Sequence, residues 1–332
     1  MHPPQTVGRL APSPTGAQHL GNARTFLVAW LATRSVGGRL ILRVEDIDTP
    51  RIKPWATQQA IDDLRWLGLD WDEGPDCGGV HAPYLQTLRG SQYHTALQRL
   101  VASGVVYPCT CSRAEIQRAA SAPHSGMDGS VYPGTCATWR AGDRLPVKGT
   151  YCWRFRVADR CQHYQDLILG PQHLQPCTQL GDFPLTRKTG DVAYHLAVVV
   201  DDAAMGVNQV IRGADLVPST FRHLQLSEAL GFAPPQYAHV PLVLGPDGRR
   251  LAKRHGDTRL SQLRADGIQP ESIIGWAAES LGLMPTAEAI KPAELLNVFS
   301  LGQIGRQAVV TSAEDWGITP KPVEKSQDPK CF

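Results

Sequence analysis

Three stretches of this sequence hold residue types at spacings that suit chemistry. The first is Pro12-Ser13-Pro14-Thr15-Gly16-Ala17-Gln18-His19-Leu20-Gly21-Asn22. A glycine-punctuated turn feeding a helix presents unpaired backbone N–H groups and the positive end of the helix dipole, both of which suit phosphate. His19, one turn before the helix body, can donate to a phosphate oxygen. The second is Arg249-Arg250-Leu251-Ala252-Lys253-Arg254-His255-Gly256, after a turn at Gly245-Pro246-Asp247-Gly248. A flexible basic loop of this kind can close over a triphosphate, with Lys253 meeting the charge of departing pyrophosphate. The third is Cys109-Thr110-Cys111 with Cys136. In a reducing compartment a Cys-x-Cys pair is more often a metal site than a disulfide. Three thiolates leave zinc one ligand short of four, and His124 and Tyr132 are the candidates nearby. Imidazole is the commoner zinc ligand, which favours His124 on chemistry alone. Cys77, Cys152, Cys161, Cys177 and Cys331 show no ligand spacing and read as free thiols.

Strands and helices must position these groups. Residues 7–11 read as a strand running into the first turn, and 21–34 as a helix with Phe26, Leu27, Trp30 and Leu31 on one face. A second strand over 39–44 ends in Glu45-Asp46-Ile47-Asp48, and amphipathic helices follow over 55–67 and 86–103. This order predicts an α/β fold of Rossmann type, a parallel sheet with functional loops at its strand ends. From 107 to about 140 the pattern breaks into cysteines and turn residues, as in a small inserted module. Residues 151–157 alternate as a strand, and the apolar run Tyr194-His195-Leu196-Ala197-Val198-Val199-Val200 reads as a long buried strand. Helical segments over 260–265, 270–281 and 292–299 precede a polar tail from about 319. The expected organisation is therefore a catalytic domain over 1–106 and 141–245, a zinc-binding insertion over 107–140, a basic loop and helical region over 246–318, and a loose tail over 319–332.

Composition narrows the class without choosing the activity. The 332 residues have room for about two domains, and 42% hydrophobic with 19% charged residues excludes a disordered or fibrous chain. A net charge of +2 confines any nucleic-acid contact to local basic patches. No run approaches the ~20 apolar residues of a membrane span, and residues 1–9 lack a signal-peptide pattern, so the expectation is a cytoplasmic protein with no membrane partner.

Together, the first two stretches resemble the paired signatures of class I aminoacyl-tRNA synthetases: His19-Leu20-Gly21-Asn22 is similar to HIGH, and Arg250-Leu251-Ala252-Lys253-Arg254 to KMSKS. The lead-in Gly8-Arg9-Leu10-Ala11, with Arg43-Val44-Glu45-Asp46-Ile47-Asp48 and Val210-Ile211-Arg212-Gly213-Ala214-Asp215-Leu216, resembles the glutamyl branch over about residues 7 to 282. Two positions depart from the signatures. Asn22 replaces the second histidine and can still donate a hydrogen bond; Ala252 replaces a serine and cannot. The segment after Arg254 is too short for the helical anticodon-binding region of a glutamyl-tRNA synthetase. With the Cys-x-Cys insertion, this resembles the truncated paralogues that activate glutamate with ATP and attach it to queuosine in the anticodon of tRNA(Asp).

The resemblance implies a set of roles. Arg9 and Arg212 would meet the carboxylates of L-glutamate, Glu45 its ammonium, and Ser13 and Tyr194 would supply hydroxyls, with Ala11 also in the pocket. Pro12, Gly16, His19, Gly21, Asn22, Asp215 and Lys253 would hold ATP and its magnesium, with His19, Asn22 and Lys253 as the catalytic group. The Tyr-x-x-x-Cys spacing of the subfamily selects Tyr132 over His124, giving one structural zinc on Cys109, Cys111, Tyr132 and Cys136. A monomer is expected. The rival classes are a short glutamyl-tRNA synthetase charging a tRNA 3′ end, a nucleotidyltransferase of the HIGH superfamily, and a non-catalytic RNA-binding relic.

Overall fold

The period-2 alternation of side chains along its strands sets the centre of the molecule. In this computed structural model, which describes residues 5–119, 131–140, 142–249 and 258–311, β1 (Val7–Leu10) and β2 (Arg39–Leu42) lie parallel, joined by α1 (Leu20–Arg34). Leu40 and Leu42 face one buried apolar cluster and Ile41 another. A strand covered on both faces reads as an unbroken apolar run, and Arg39-Leu40-Ile41-Leu42 is one. The helix α1 lies so close to β1 that a Cβ on Gly8 would sit 2.2 Å from Thr33 Oγ1, so only glycine fits there.

The chain continues through α2 (Ala56–Trp66), α3 (Gly90–Ala102), β3 (Val106–Cys109), α4 (Arg113–Ala119), β4 (Cys152–Phe155), β5 (Gln162–Asp166), β6 (Gly170–Leu174), α5 (Pro176–Gln179), β7 (Phe183–Pro184) and α6 (Tyr194–Ala204). Then come β8 (Gln209–Gly213), α7 (Val217–Leu230), β9 (Gln236–Val240), β10 (Val243–Leu244), α8 (Leu260–Ala265), α9 (Pro270–Ser280) and β11 (Val309–Val310). Strands run in the order β6-β5-β9-β8, with β8 and β5 parallel to β9 and β5–β6 an antiparallel hairpin. Asn208, just before β8, joins this sheet to β1: its N–H donates to Val7 O at 3.1 Å and its side-chain oxygen accepts from Val7 N at 2.8 Å. Helices α1, α2, α8 and α9 share the apolar cluster on one side, while α3, α6 and α7 share another with β3, β4 and β7. The α/β fold with a parallel sheet is the one expected. No helix among the described residues is long and apolar enough to cross a membrane.

β3, β4 and β7 form a separate antiparallel sheet in which Cys109 is the register partner of Cys152. Cys109 thus ends a strand whose sheet partners, β4 and β7, come from beyond Arg140 in the sequence.

Two expected elements differ. The run Tyr194 to Val200 is not a strand but the first part of α6. Its valines favour a strand by well under ~1 kcal/mol each, and the tertiary environment outweighs that. Leu196, Ala197, Val199 and Val200 fill the cluster shared with α3 and α7, and Asp201 and Asp202 at the end of the run reach Arg43. A fully buried apolar run carries no period to tell the two apart. The helix expected over 292–299 is a single 3₁₀ turn, Pro292–Leu295.

Candidate active site

The carboxyl ends of β1, β8 and β9 open into a cleft of about 420 Å³, where a parallel α/β sheet customarily takes its ligand. Arg9, Ala11, Ser13, Glu45, Tyr194 and Arg212 line it together with Pro12, Gly16, His19, Gly21, Asn22 and Asp215. Lys253, with the rest of the signature loop 250–257, lies outside the described residues, as do His124, Cys331 and the tail beyond 311.

Backbone register builds the cleft floor. The continuation of β2 runs alongside the loop after β1: Arg43 N–H donates to Leu10 O at 2.9 Å and Glu45 N–H to Pro12 O at 3.0 Å. This puts Glu45 beside Arg9, although residues 11–38, with the whole of α1, lie between the two strands in sequence. Helix α1 begins at the cleft, and Asn22 closes its first turn by accepting from His19 N–H at 3.2 Å. Asn22 therefore works as a capping residue at a place where the signature has histidine. Gly21 leaves space for the His19 ring, since a Cβ there would sit 3.1 Å from Cε1. The far flank of the basic loop is stitched to the same turn: Leu20 N–H donates to Thr258 O at 3.1 Å and Leu260 N–H to Gln18 O at 2.9 Å. On its near flank Gly245 N–H donates to Arg249 O at 2.8 Å.

Charge is concentrated behind the cleft. Arg9 is buried, donates from Nη1 to Ile211 O at 2.9 Å and lies 3.8 Å from Asp202. Burial pulls its guanidinium below the ordinary value, and Asp202 opposes this. Arg43 is fully buried, 2.7 Å from Asp202, 3.0 Å from Glu45 and 3.8 Å from Asp201. Burial alone would lower Arg43, but Asp202, Glu45 and Asp201 together hold it above its ordinary value. Burial raises the Glu45 carboxyl against the pull of Arg43 and Arg9, so a cation arriving beside it would favour its charged form. Asp201 is satisfied in turn by Arg89 Nε at 2.6 Å, Tyr93 OH at 2.8 Å and Gln86 Nε2 at 2.9 Å.

The cysteine cluster is a second constellation. The sulfur atoms of Cys109, Cys111 and Cys136 lie within 4.8 Å of one another. Tyr132 brings its hydroxyl to 3.4 Å from Cys109 Sγ and 3.7 Å from Cys111 Sγ, and accepts from Cys136 N–H at 2.8 Å. Three soft sulfurs and one oxygen converging on a point fit a tetrahedral metal such as zinc. The Arg154 guanidinium lies 3.9 Å from the Tyr132 ring centroid and holds that ring in place. The Cys152 thiol, the Tyr132 hydroxyl and Arg154 favour the Cys109 thiolate, lowering Cys109 to about 4.

Several residues escape a reading by spacing. Arg24, on α1, is buried and ties that helix to the cleft rim and to α9, donating to Pro241 O at 2.7 Å and Ser280 Oγ at 2.9 Å. Asp201 and Asp202 were visible as an acidic pair ending an apolar run, a signal that such a pair neutralises something buried. Cys152, grouped by spacing with the unconnected thiols, stands against Cys109. His223, His239 and Thr220, which surround Arg212, had no sequence signal.

The profile of tRNA synthetases class I (E and Q), catalytic domain, matches residues 5–301. The chain is 54% identical over 314 residues to the Glutamyl-Q tRNA(Asp) synthetase of Rhodopirellula baltica, covering 91% of this chain and 92% of that protein. It is 51% identical to the protein of the same name from Symbiobacterium thermophilum, covering 92% of this chain and 96% of that one. Identity to glutamate–tRNA ligase 2 of Syntrophus aciditrophicus is 42%, over 91% of this chain and 63% of the ligase. The solved glutamate-tRNA synthetase from Elizabethkingia anophelis superposes with a TM-score of 0.81 at 31% identity, over 94% of this chain and 69% of that one.

Proposed function

The chain belongs to the class I tRNA synthetases of the E and Q type, and on that premise we propose that it activates L-glutamate with ATP and transfers the glutamyl group to queuosine in tRNA(Asp). The observation that carries the amino-acid half is the meeting, in one cleft, of the buried guanidinium groups of Arg9 and Arg212 with the Glu45 carboxylate. Two cations and one anion complement the two carboxylates and one ammonium of glutamate. The queuosine half is supported by relatives of that printed activity, which match over nearly their whole length.

In this reading the glutamate α-carboxylate attacks the α-phosphorus of ATP in line, and pyrophosphate leaves with the electrons of the broken P–O bond. Positioning and charge stabilisation do most of the work. Ser13 and Tyr194 offer hydroxyls to the amino acid, and Ala11 and Pro12 shape the floor. Gly16 and Gly21 let the phosphates approach the start of α1, where His19 donates; Asn22 keeps that turn closed. Asp215 stands on the nucleotide side, and magnesium arriving with ATP screens the phosphates. Lys253 meets the charge that grows on pyrophosphate. A hydroxyl of the queuosine ring then attacks the activated carbonyl, and AMP departs.

ATP–pyrophosphate exchange with glutamate and no RNA tests the reading: exchange is expected, and none until tRNA is added would overturn it. Lys253→Ala is expected to lower the exchange rate by ~100-fold or more with a smaller change in glutamate KM, because the charge it meets develops in the transition state.

Cys109, Cys111, Tyr132 and Cys136 would hold one zinc ion, which closes a structural site because four protein ligands leave no position for substrate. Elemental analysis should find about one zinc per chain in the wild type and His124→Ala proteins, and a loss in Cys111→Ser and Tyr132→Phe. Zinc lost from the His124 variant and kept in the Tyr132 variant would reverse the assignment.

A further inference from the structure

The arginines behind the cleft are held in two chemically different ways. Arg9 and Arg43 are faced by carboxylates, Asp202 and Glu45. Arg212 is equally buried, yet it donates from Nε to His239 Nε2 at 3.2 Å, from Nη1 to His223 Nδ1 at 3.3 Å, and from Nη2 to Thr220 Oγ1 at 2.6 Å and Leu216 O at 3.3 Å. Each of these acceptors is neutral.

Arginine has no acceptor, so Arg212 is the donor in each hydrogen bond it makes; the Thr220 hydroxyl also lies 3.0 Å from His239 Nε2. His223 must meet Arg212 with a bare Nδ1, carry its proton on Nε2 and donate it to His195 Nδ1, 3.1 Å away. His239 carries its proton on Nδ1, 2.5 Å from Asp166 Oδ2, which leaves Nε2 to accept from Arg212. Asp166 is itself held by the backbone N–H groups of Ile168 and Leu169, at 3.0 and 2.8 Å. Around His223 stand His195 and Tyr194 from α6, Arg212 from β8, Arg222 from its own helix and Arg9 from β1, and among the described residues no carboxylate bonds to its ring. Burial and those cations keep His223 well below its ordinary value; burial, Arg222 and Arg212 take His195 to about 3. A second proton on either ring of the Arg212 shell would set N–H against N–H.

We propose that His223 and His239 are positioning residues that determine amino-acid specificity: they grip Arg212 through neutral ring nitrogens, leave its charge uncompensated at the cleft, and so make the site demand a ligand carboxylate in place of a carboxamide. A carboxylate in their position would orient the guanidinium equally well and cancel the charge that distinguishes glutamate from glutamine. This inference rests on the glutamate-activating reading above.

The test is ATP–pyrophosphate exchange with glutamate and with glutamine, in wild type, His223→Glu and His223→Gln. His223→Glu sets a carboxylate beside Arg212, so glutamate KM is expected to rise ~100-fold with kcat less affected, while exchange with glutamine falls little. His223→Gln offers a neutral oxygen acceptor and keeps the preference for glutamate. A folded His223→Glu with an unchanged glutamate-to-glutamine ratio overturns the proposal, and so does loss of the preference in His223→Gln, which would mean that any change at this position suffices. If His223→Glu does not unfold cooperatively, the ring-nitrogen NMR shifts of wild-type His223 decide: a neutral Nε2–H tautomer from about pH 8 to about pH 5 supports the proposal, and an imidazolium or an Nδ1–H tautomer overturns it. Absence of glutamate exchange in the wild type overturns the functional reading and this inference together; wild-type exchange with an unmoved ratio in the variant overturns this inference alone.

Discussion

Queuosine-bearing tRNA(Asp) is expected to take up labelled glutamate in the presence of ATP, and the same tRNA with guanosine at that position is expected to take up essentially none. The reason lies in the nucleophile. Ester formation needs an aliphatic hydroxyl at the activated carbonyl, and the modified base carries one on its added ring where guanine has only ring nitrogens, a carbonyl and an amine. A site shaped to receive a hydroxyl rejects an acceptor that lacks it by ~10⁴-fold or more. Bases in an anticodon loop are unpaired and can be splayed into a cleft, as sequence-specific RNA recognition generally requires. Phosphates flanking the base would meet Arg249, Arg250 and Arg254 of the basic loop, so charging should weaken as salt rises. Removing the 3′ CCA should leave acceptance intact. Equal charging of the guanosine form, or loss of charging with the CCA removed, would place the protein among synthetases that charge a 3′ end.

The second large effect is on stability. Arg43→Met removes a fully buried cation that three carboxylates share, Asp202 at 2.7 Å, Glu45 at 3.0 Å and Asp201 at 3.8 Å. Methionine fills much of the volume, but the carboxylates keep their burial and lose their partner. Breaking a buried pair from one side costs about 3–5 kcal/mol, a large part of the 5–15 kcal/mol that holds a typical protein folded. Thermal unfolding of the variant should fall by roughly 10 °C at neutral pH. The pH dependence has a definite sign. The Glu45 carboxyl already lies above its ordinary value when Arg43 is present, because burial dominates, and removing Arg43 raises it further. A group raised in the folded state contributes stability that is full below its unfolded pKa, about 4.3 for glutamate, and is lost as pH rises through the folded value. The deficit of Arg43→Met should therefore be greatest near neutrality and narrow as pH falls toward 5. Unfolding midpoints of both proteins at about pH 8 and pH 5 check this; a deficit of equal size at both would show that the buried charges are not its source.

Much of the site was legible as local chemistry. The turn from Pro12 to Gly16, His19 ahead of an apolar helix, and Cys109, Cys111 and Cys136 are features whose physics acts over a few residues; residues of the turn and His19 line the cleft, and the three sulfurs lie together. The choice between Tyr132 and His124 was not of this kind, because ligand chemistry favours His124 while the Tyr-x-x-x-Cys spacing of the subfamily it resembles favours Tyr132. The Tyr132 hydroxyl stands among the sulfurs.

From the sequence alone came the chemical inventory of this protein: a glycine-punctuated turn before a helix, a basic loop, two arginines and a glutamate that the family resemblance assigns to an amino acid with two carboxylates, and a thiol cluster, strung along an alternating α/β pattern. Tertiary structure alone decided that Tyr194–Ala204 is a helix, since a run buried on every side has no period of its own and its neighbours impose one. It also decided which cations are neutralised. Arg43 meets Asp202 from 159 positions away, while Arg212 is received by His239 from 27 positions away and by His223 from 11. Side-chain spacing reports only neighbours on one helix or strand, whereas the charge state of a buried group is set by whatever the folded chain brings within a few ångströms of it.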